Sequence, residues 1–289
     1  METLLQRADR AAARLDLRME RVRFLTGNEL KLFAVSAMVI DHTCKIVLQW
    51  LLTDYWGVMV DNGTMSWERF TQIDTFIRFD LQSIGTAAFP LFCFLLAEGF
   101  LHTRSKKRYL GLMAGFALLS EIPFDIGFFS RYSLMEGTFP FYLRYQNVFF
   151  TLFFGLAALI CLERFSAAPQ SSGKGRAKSL CLQLVSVAVL AAAAELLRAD
   201  YGMAGVLYIA AFYVCRRNRL YQVLLFLLAY TAATGSQPPL GVLFACLLIL
   251  LYNGRRGKHR WKYGFYLFYP LHILVLYAVT LLLAQVLAV

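Results

Sequence analysis

The sequence lacks the signatures of several common classes of protein. Its six cysteines form no CxxC pair, and the chain has no glycine-rich nucleotide loop and no GxSxG elbow. Charged residues make up only 16% of the chain, whereas 59% of the residues are hydrophobic. These absences argue against a disulfide framework, a metal site and the nucleotide-binding or hydrolase sites of soluble enzymes, and no metal is expected.

Long apolar runs recur along the whole chain and are separated by short polar clusters. A helix that spans a membrane needs about 20 apolar residues. The pattern therefore predicts an all-α, polytopic membrane bundle of about nine spans, of which the sixth to eighth are short enough to be half-helices or tilted partners. The predicted spans are residues 30–52, 84–102, 109–128, 146–163, 180–197, 201–215, 219–234, 238–252 and 263–287.

The net charge of +11 is distributed as membrane topology predicts, and not as nucleic-acid binding would require. Alternate loops carry 23 basic residues on one side of the membrane and five on the other. The basic side of a membrane protein is the cytoplasmic one. We therefore predict a multi-pass protein of the cell inner or plasma membrane, embedded in the lipid bilayer, with a cytoplasmic N-terminus and an external C-terminus.

The polar segments suggest how the chain is divided. Residues 1–28 are too polar to span a membrane, and their apolar positions recur at helical spacing between arginines, which predicts a basic amphipathic helix on the cytoplasmic face. Residues 29–289 form the predicted transmembrane domain, with a flexible cytoplasmic linker near 166–178. Residues 54–83 are predicted to be an outer loop that contains one short surface helix.

The first span carries titratable residues where a lipid-facing helix has none. At about 1.5 Å per residue, His42 lies about 16 Å beyond Lys31, near the membrane midplane and on the same helix face. His272 has a similar depth in the last span. A charge in the membrane costs at least about 2.5–3.5 kcal/mol, so such residues usually mark a site or a pathway. A structural ion pair between Asp41 and Lys45 is the competing interpretation.

The second span ends in a cluster of polar residues at its cytoplasmic side. Glu98 is expected to be a buried carboxylate, and His102 follows one turn later. Arg104 and Arg108 are either charges that only set the topology or a phosphate-binding cluster at the mouth of a cavity.

The outer halves of the third and fourth spans also contain polar residues. Glu121 and Asp125 flank Pro123, which we expect to break the helix and to leave backbone groups lining a cavity. Asn147 opens the fourth span. A cavity with a basic cytoplasmic mouth, a central histidine and outer carboxylates and amides fits group transfer, because neutral histidine is a suitable general base near pH 7.

Several segments of the chain resemble the TraX family, and they occur in the family's order. They are KLFAVSAMVIDH, AAFPLFCFLLAEGFLHTRSKKRYL, FALLSEIPFD, QNVFFTLFFGLAAL, DYGMAGVLYIAAF and YLFYPLHILVLY. The family is named for a conjugation protein that acetylates the N-terminus of pilin. It resembles a branch of the transmembrane acyltransferase superfamily, whose first core helix carries a basic or amide residue, ten intervening residues and a histidine. Lys31 and His42 fit that spacing.

The resemblance implies that acetyl-CoA is bound from the cytoplasm and that the acetyl group passes to an acceptor on the outer side. The acceptor would be a peptide N-terminus, a glycan or a lipid-linked molecule. The chain departs from the family where a basic residue usually precedes AFP, because Thr86 stands there. The outer acceptor pocket is therefore expected to differ from that of other members.

The leading hypothesis is a membrane acyltransferase with His42 as its general base, oriented by Asp41, Glu98 or His272. The candidate residues for acetyl-CoA are Lys31, His102, Arg104 and Arg108, and those for the acceptor are Lys45, Glu121, Asp125, Asn147 and His272. A proton-coupled transporter is the main alternative, because buried Asp, Glu and His chains also relay protons. A non-catalytic scaffold with structural polar pairs is the third.

Overall fold

Ten helices account for most of the computed structural model, which describes residues 4–166, 173–257 and 262–287. Those residues form no strand, only two isolated bridges, so the predicted all-α class is confirmed. The helices are α1 (Leu4–Glu20), α2 (Gly27–Asp61), α3 (Trp67–His102), α4 (Lys106–Glu136), α5 (Val148–Ser166), α6 (Gly173–Leu196), α7 (Gly202–Val214), α8 (Arg219–Thr234), α9 (Leu240–Leu250) and α10 (Lys262–Val286).

Helices α2 to α10 correspond one to one with the nine predicted apolar spans. Six of them, α2 to α6 and α10, are long and apolar enough to cross a membrane, so the chain is a multi-pass membrane protein. Helices α7, α8 and α9 have only 13, 16 and 11 residues. The short α7 is enclosed by α3, α5, α6 and α8, and its Val206, Ile209 and Phe212 are fully buried. Below, "outer" and "cytoplasmic" follow the predicted topology.

Helices α2 and α3 form a hairpin that is longer than the membrane is thick. They contain 35 and 36 residues, so each is about 52 Å long against a hydrocarbon core of about 30 Å. The predicted outer loop of residues 54–83 is therefore wrong in most of its length. The short helix that was predicted in this loop is the first part of α3. Ser66 caps it by accepting a hydrogen bond from the Arg69 amide at 3.3 Å.

The helix break predicted at Pro123 is also absent, because α4 runs without interruption from Lys106 to Glu136. A break occurs instead in α3, where Thr86 and Ala87 form a turn. Pro90 has no amide hydrogen to donate to the Thr86 carbonyl, which weakens the helix at that turn. Such freed backbone groups are tolerated at membrane depth where they face a cavity.

The start of α2 is tied to the loop that precedes α10. The amides of Gly27 and Asn28 donate to the carbonyls of Arg255 and Arg256 at 2.8 and 3.1 Å, and Thr26 and Glu29 form a capping box. These bonds satisfy amides that a helix start leaves unpaired. They also fix the start of α2 relative to the segment that follows α9.

The two polar segments have different outcomes. Residues 1–28 contain a helix, α1, as predicted, while its place on the cytoplasmic face of the membrane stays a prediction. Helix α6 begins at Gly173, so residues 173–178 of the predicted linker are helical, with residues 167–172 outside the described part of the chain.

We predict that a single methyl group at Gly85 destabilises the α2–α3 hairpin. A Cβ atom at Gly85 would lie 2.6 Å from the Cβ and 2.9 Å from the Cα of Asp41. Overpacking of this kind costs about 1–3 kcal/mol, so Gly85→Ala should lower the melting temperature of the purified protein. Gly111→Ala is the matched control, because its Cβ would meet no atom within 4 Å and should stabilise α4 slightly. Equal melting temperatures for the two variants would contradict this packing.

Candidate functional site

Two histidines from the first and last spans meet inside the bundle. Nδ1 of His42 lies 2.7 Å from Nε2 of His272, and the ring planes are within 11° of each other. Nδ1 of His272 lies 2.8 Å from the carbonyl oxygen of Phe268 in the preceding turn of α10. The two histidines, which were predicted to lie at a similar depth in their spans, are thus joined by a direct hydrogen bond. We call them the histidine pair.

The Phe268 carbonyl determines which ring nitrogens of the histidine pair carry hydrogen. A backbone carbonyl only accepts hydrogen bonds, so Nδ1 of His272 carries the hydrogen. With both rings neutral, Nε2 of His272 is then the acceptor and Nδ1 of His42 the donor. Nε2 of His42 is left with a free lone pair, as a general base requires.

The walls of the histidine pair are aromatic. The edges of Phe128 and Tyr269 pack against the His42 ring at centroid distances of 5.0 and 5.9 Å. Gly127 allows α4 and α10 to approach closely, since a side chain there would overlap Ile273. Only 12% of the His42 side chain is exposed, so the ring faces protein and not lipid.

Asp41 lies on the lone-pair side of His42. Its Oδ2 atom is 4.0 Å from Nε2 of His42 and 2.7 Å from Nζ of Lys45, which confirms the ion pair that the sequence suggested. A π-helical turn, Cys44–Leu48, begins two residues after His42 and contains Lys45. Such turns are frequent at functional sites, and this one widens the helix where Lys45 leaves it.

A cavity of about 360 Å³ adjoins Asp41 in the outer half of the bundle, and we call it the outer cavity. Its walls come from α2, α3, α7, α8 and the residues around the start of α9. The Thr86 turn of α3 lines it, at a place where no break was predicted from the sequence. The departure of this chain from the family pattern, at Thr86, therefore lies in the wall of the cavity.

Glu98 does not orient His42, contrary to one of the sequence-based alternatives. Its carboxylate is bound by Nη1 of Arg219 at 3.2 Å, and the same nitrogen donates to Gln222 at 2.9 Å. The guanidinium group also lies 5.0 Å from the ring centres of Phe94 and Tyr252. This buried network joins α3 to α8. Of the three candidates for orienting His42, the structure leaves His272, in direct contact, and Asp41.

The carboxylates and the amide predicted to line the acceptor side are bound elsewhere. Asn147 donates through its side-chain and backbone nitrogens to Glu121, and its Nδ2 also donates to the Ala117 carbonyl at 2.8 Å. Asp125 accepts from the Tyr142 amide at 2.9 Å. These bonds tie α4 to the start of α5, and none of the three residues lines the outer cavity. His272, also predicted to bind acceptor, is hydrogen-bonded to His42 instead.

The residues predicted to bind acetyl-CoA all lie at cytoplasmic helix ends. Lys31 is half-buried, with its ammonium group 5.4 Å from the centre of the Phe265 ring. His102, Arg104 and Arg108 are exposed, and Nε2 of His102 is 3.9 Å from Glu98. Their role with phosphate groups stays a prediction.

Lys31 and His42 face one side of α10. Phe265, Tyr269 and His272 are spaced as i, i+4 and i+7, which places them on a single face of that helix. Lys31 contacts the first of them and His42 the other two. The boundary between α2 and α10, here the α2–α10 seam, therefore leads from the cytoplasmic surface to the histidine pair.

Sequence reasoning missed Asp200, a carboxylate in the turn before α7. Tyr145 donates to it at 3.0 Å, and Thr151 donates to its backbone carbonyl. Burial raises the pKa of Asp200, against the lowering effect of the nearby Lys45 ammonium group. The signal available in the sequence was its place at the start of the segment DYGMAGVLYIAAF. Arg219 was missed as well, because it was counted only as a topogenic charge.

The fold and site define a multi-pass helical membrane protein with a buried histidine pair close to Asp41, which lines the outer cavity. Residues 26–280 match the TraX protein family, so the chain belongs to that family. It is 28% identical over 264 residues to the probable fimbrial assembly protein FimC, serogroup H1, of Dichelobacter nodosus, which covers 86% of this chain and 93% of the relative. No solved structure matches the chain.

We predict that Arg219 and Glu98 stabilise the fold only as a pair. Removing one partner of a buried ion pair costs about 3–5 kcal/mol, whereas replacing both with apolar residues is often neutral. Arg219→Met should therefore lower the melting temperature strongly, and the double variant Arg219→Met/Glu98→Met should regain most of the loss. A double variant no more stable than the single variants would show that the two residues are not coupled.

Proposed function

We propose that this protein is a membrane-embedded acyltransferase that moves an acetyl group from cytoplasmic acetyl-CoA to an amine or hydroxyl on the outer side. The observation that carries the proposal is the arrangement of the His42 ring, which His272 holds with Nε2 as the unprotonated nitrogen, 4.0 Å from Asp41 at the edge of the outer cavity. A structural pair would not need to leave a basic nitrogen there. Membership of a family named for pilin acetylation supports the same reaction.

The reaction requires one base and a proton that returns to the leaving group. Nε2 of His42 takes the proton from the acceptor as its oxygen or nitrogen attacks the thioester carbonyl. The C–S bond breaks, and the CoA sulfur leaves with that proton, giving an acetylated acceptor and free CoA. Asp41, 4.0 Å from Nε2, stabilises the imidazolium while it holds the proton, and His272 keeps the ring oriented.

The donor would reach His42 along the α2–α10 seam. Lys31 at its cytoplasmic end offers a cation to a CoA phosphate, and the exposed Arg104 and Arg108 offer two more. The acceptor would occupy the outer cavity. The name of the relative FimC, a probable fimbrial assembly protein, suggests a pilus-related acceptor in the envelope of a bacterial cell, with this protein in the inner membrane.

His42→Gln should reduce acetyl transfer at least about 100-fold, because glutamine cannot accept the proton. The assay follows labelled acetyl groups from acetyl-CoA in reconstituted vesicles, and thermal stabilisation by acetyl-CoA should persist in the variant. Thr43→Ala is the control, since this neighbouring hydroxyl donates to the Val39 carbonyl, away from the histidine pair. Full turnover by His42→Gln would exclude this base. Solute uptake without acetyl-CoA would favour a transporter.

Lys31→Met should raise the KM for acetyl-CoA about ten-fold and leave kcat nearly unchanged. The lysine would bind the phosphates equally in the ground and transition states, and a hydrogen bond to a charged group contributes about 1.5–3 kcal/mol. Lys107→Met, an exposed lysine at the start of α4, is the matched control. An unchanged KM in Lys31→Met would place the donor elsewhere.

A further inference from the structure

Two cationic side chains and one carboxylate line the outer cavity. Its charged residues are Asp41, Lys45 and Arg78. The single carboxylate is already paired with Lys45 at 2.7 Å. An ammonium ligand would therefore have to displace Lys45, whereas an anionic group can join it.

Both cations keep capacity for a ligand. The ammonium group of Lys45 has three N–H donors, and the side chain is 40% exposed. Nε of Arg78 donates to Asp74 at 2.6 Å, and this side chain is 47% exposed with its remaining guanidinium donors on a flat fork. Asp200, a further carboxylate near Lys45, already accepts a hydrogen bond from Tyr145 at 3.0 Å.

Lys45 and Arg78 lie at increasing distances from His42 toward the outer side of the membrane. Gly85 touches Asp41, which sets the level of α3 against α2. The Lys45 ammonium group is 2.7 Å from the Asp41 carboxylate oxygen that lies 4.0 Å from Nε2 of His42. At a rise of about 1.5 Å per residue, the Arg78 backbone lies about 10 Å farther out than Gly85 along α3. A ligand whose nucleophile reaches His42 therefore meets a cation about 6–10 Å away.

The remaining wall of the outer cavity is aromatic. Phe89 and Tyr201 stack with their ring centres 3.5 Å apart, and Tyr208 and Tyr230 are 5.9 Å apart. A volume of about 360 Å³ holds a small ligand or the end of a larger one. The aromatic wall can pack against the part of a small organic ligand that lies between its nucleophilic group and its anionic group.

We infer that the acceptor is an organic anion, with a carboxylate or phosphate group about 6–10 Å from its nucleophilic amine or hydroxyl, bound by Lys45 and Arg78. This inference rests on the proposed acyl transfer. The anion has two possible sources, an acidic residue near a peptide N-terminus and an acidic sugar, and the chemistry of recognition is the same for both.

The test uses two matched pairs of probes with the full-length protein in vesicles. The peptide pair is Ala-Gly-Asp-amide and Ala-Gly-Asn-amide, in which about 7 Å separates the amine from the third residue in an extended chain. The sugar pair is glucuronate and glucose. Wild type should acetylate the anionic member of at least one pair at least about ten-fold more efficiently, as kcat/KM, and the responding pair identifies the source.

The variants assign the preference to the two cations. Lys45→Met should reduce the preference to about one, Lys45→Arg should retain it, and Arg78→Gln should weaken it several-fold. Arg131→Gln is the matched control, because Arg131 is an exposed arginine that also pairs with an aspartate, Asp54, outside the cavity. If Lys45→Met does not fold, Arg78→Gln still decides, since Arg78 is half-exposed on α3.

Measuring the binding of the same probes without acetyl-CoA tests the anion site separately from the acyltransferase proposal. Tighter binding of an anionic probe that Arg78→Gln weakens, with no acetylation of any probe, would support the anion site and reject the acyltransferase proposal. Acetylation of both members of each pair with equal efficiency would reject the anion site and leave the acyltransferase proposal standing. Equal binding of charged and neutral probes by wild type would also overturn the inference.

Discussion

The hydrogen bond between His42 and His272 is the interaction on which the rest of the account depends. It joins the first and the last spans. His272 in turn donates a hydrogen bond to the carbonyl of Phe268, which fixes the donor and the acceptor at each ring nitrogen. Because that carbonyl only accepts, Nε2 of His42 is the nitrogen left with a free lone pair, and it lies 4.0 Å from Asp41. Without His272, the imidazole would have neither a fixed tautomer nor a fixed orientation.

The membrane interior makes such pairing necessary. Polar groups there lack water as a partner, so each must be bound by protein or must face a cavity. The Glu98–Arg219 network and the Asn147–Glu121 bonds follow the first route, and both hold helices together. The turn of α3 at Thr86 follows the second, beside the outer cavity. The histidine pair combines the two, since it is enclosed on the α10 side and adjoins the cavity through Asp41.

The contacts of the site could be predicted from the sequence where the two residues are close in one helix or lie at the same depth in the membrane. Asp41 and Lys45 are four residues apart on one helix, so their pairing is readable from spacing. The partner of Glu98 could not be predicted, because Arg219 is 121 residues away and one sequence does not reveal which helices are neighbours. The prediction of a break at Pro123 was wrong because a packed membrane helix tolerates the one hydrogen bond that a proline removes, whereas the turn before Pro90 lies in the wall of the outer cavity.

The most direct test of the account is the tautomer of His42. Solid-state ¹⁵N NMR on protein labelled at the histidine ring nitrogens, in lipid bilayers near neutral pH, measures it, with His42→Gln and His272→Gln providing the assignments. The account predicts that both rings carry hydrogen on Nδ1 and that Nε2 of His42 is unprotonated. A hydrogen on Nε2 of His42 instead would leave the site without the base that the reaction requires.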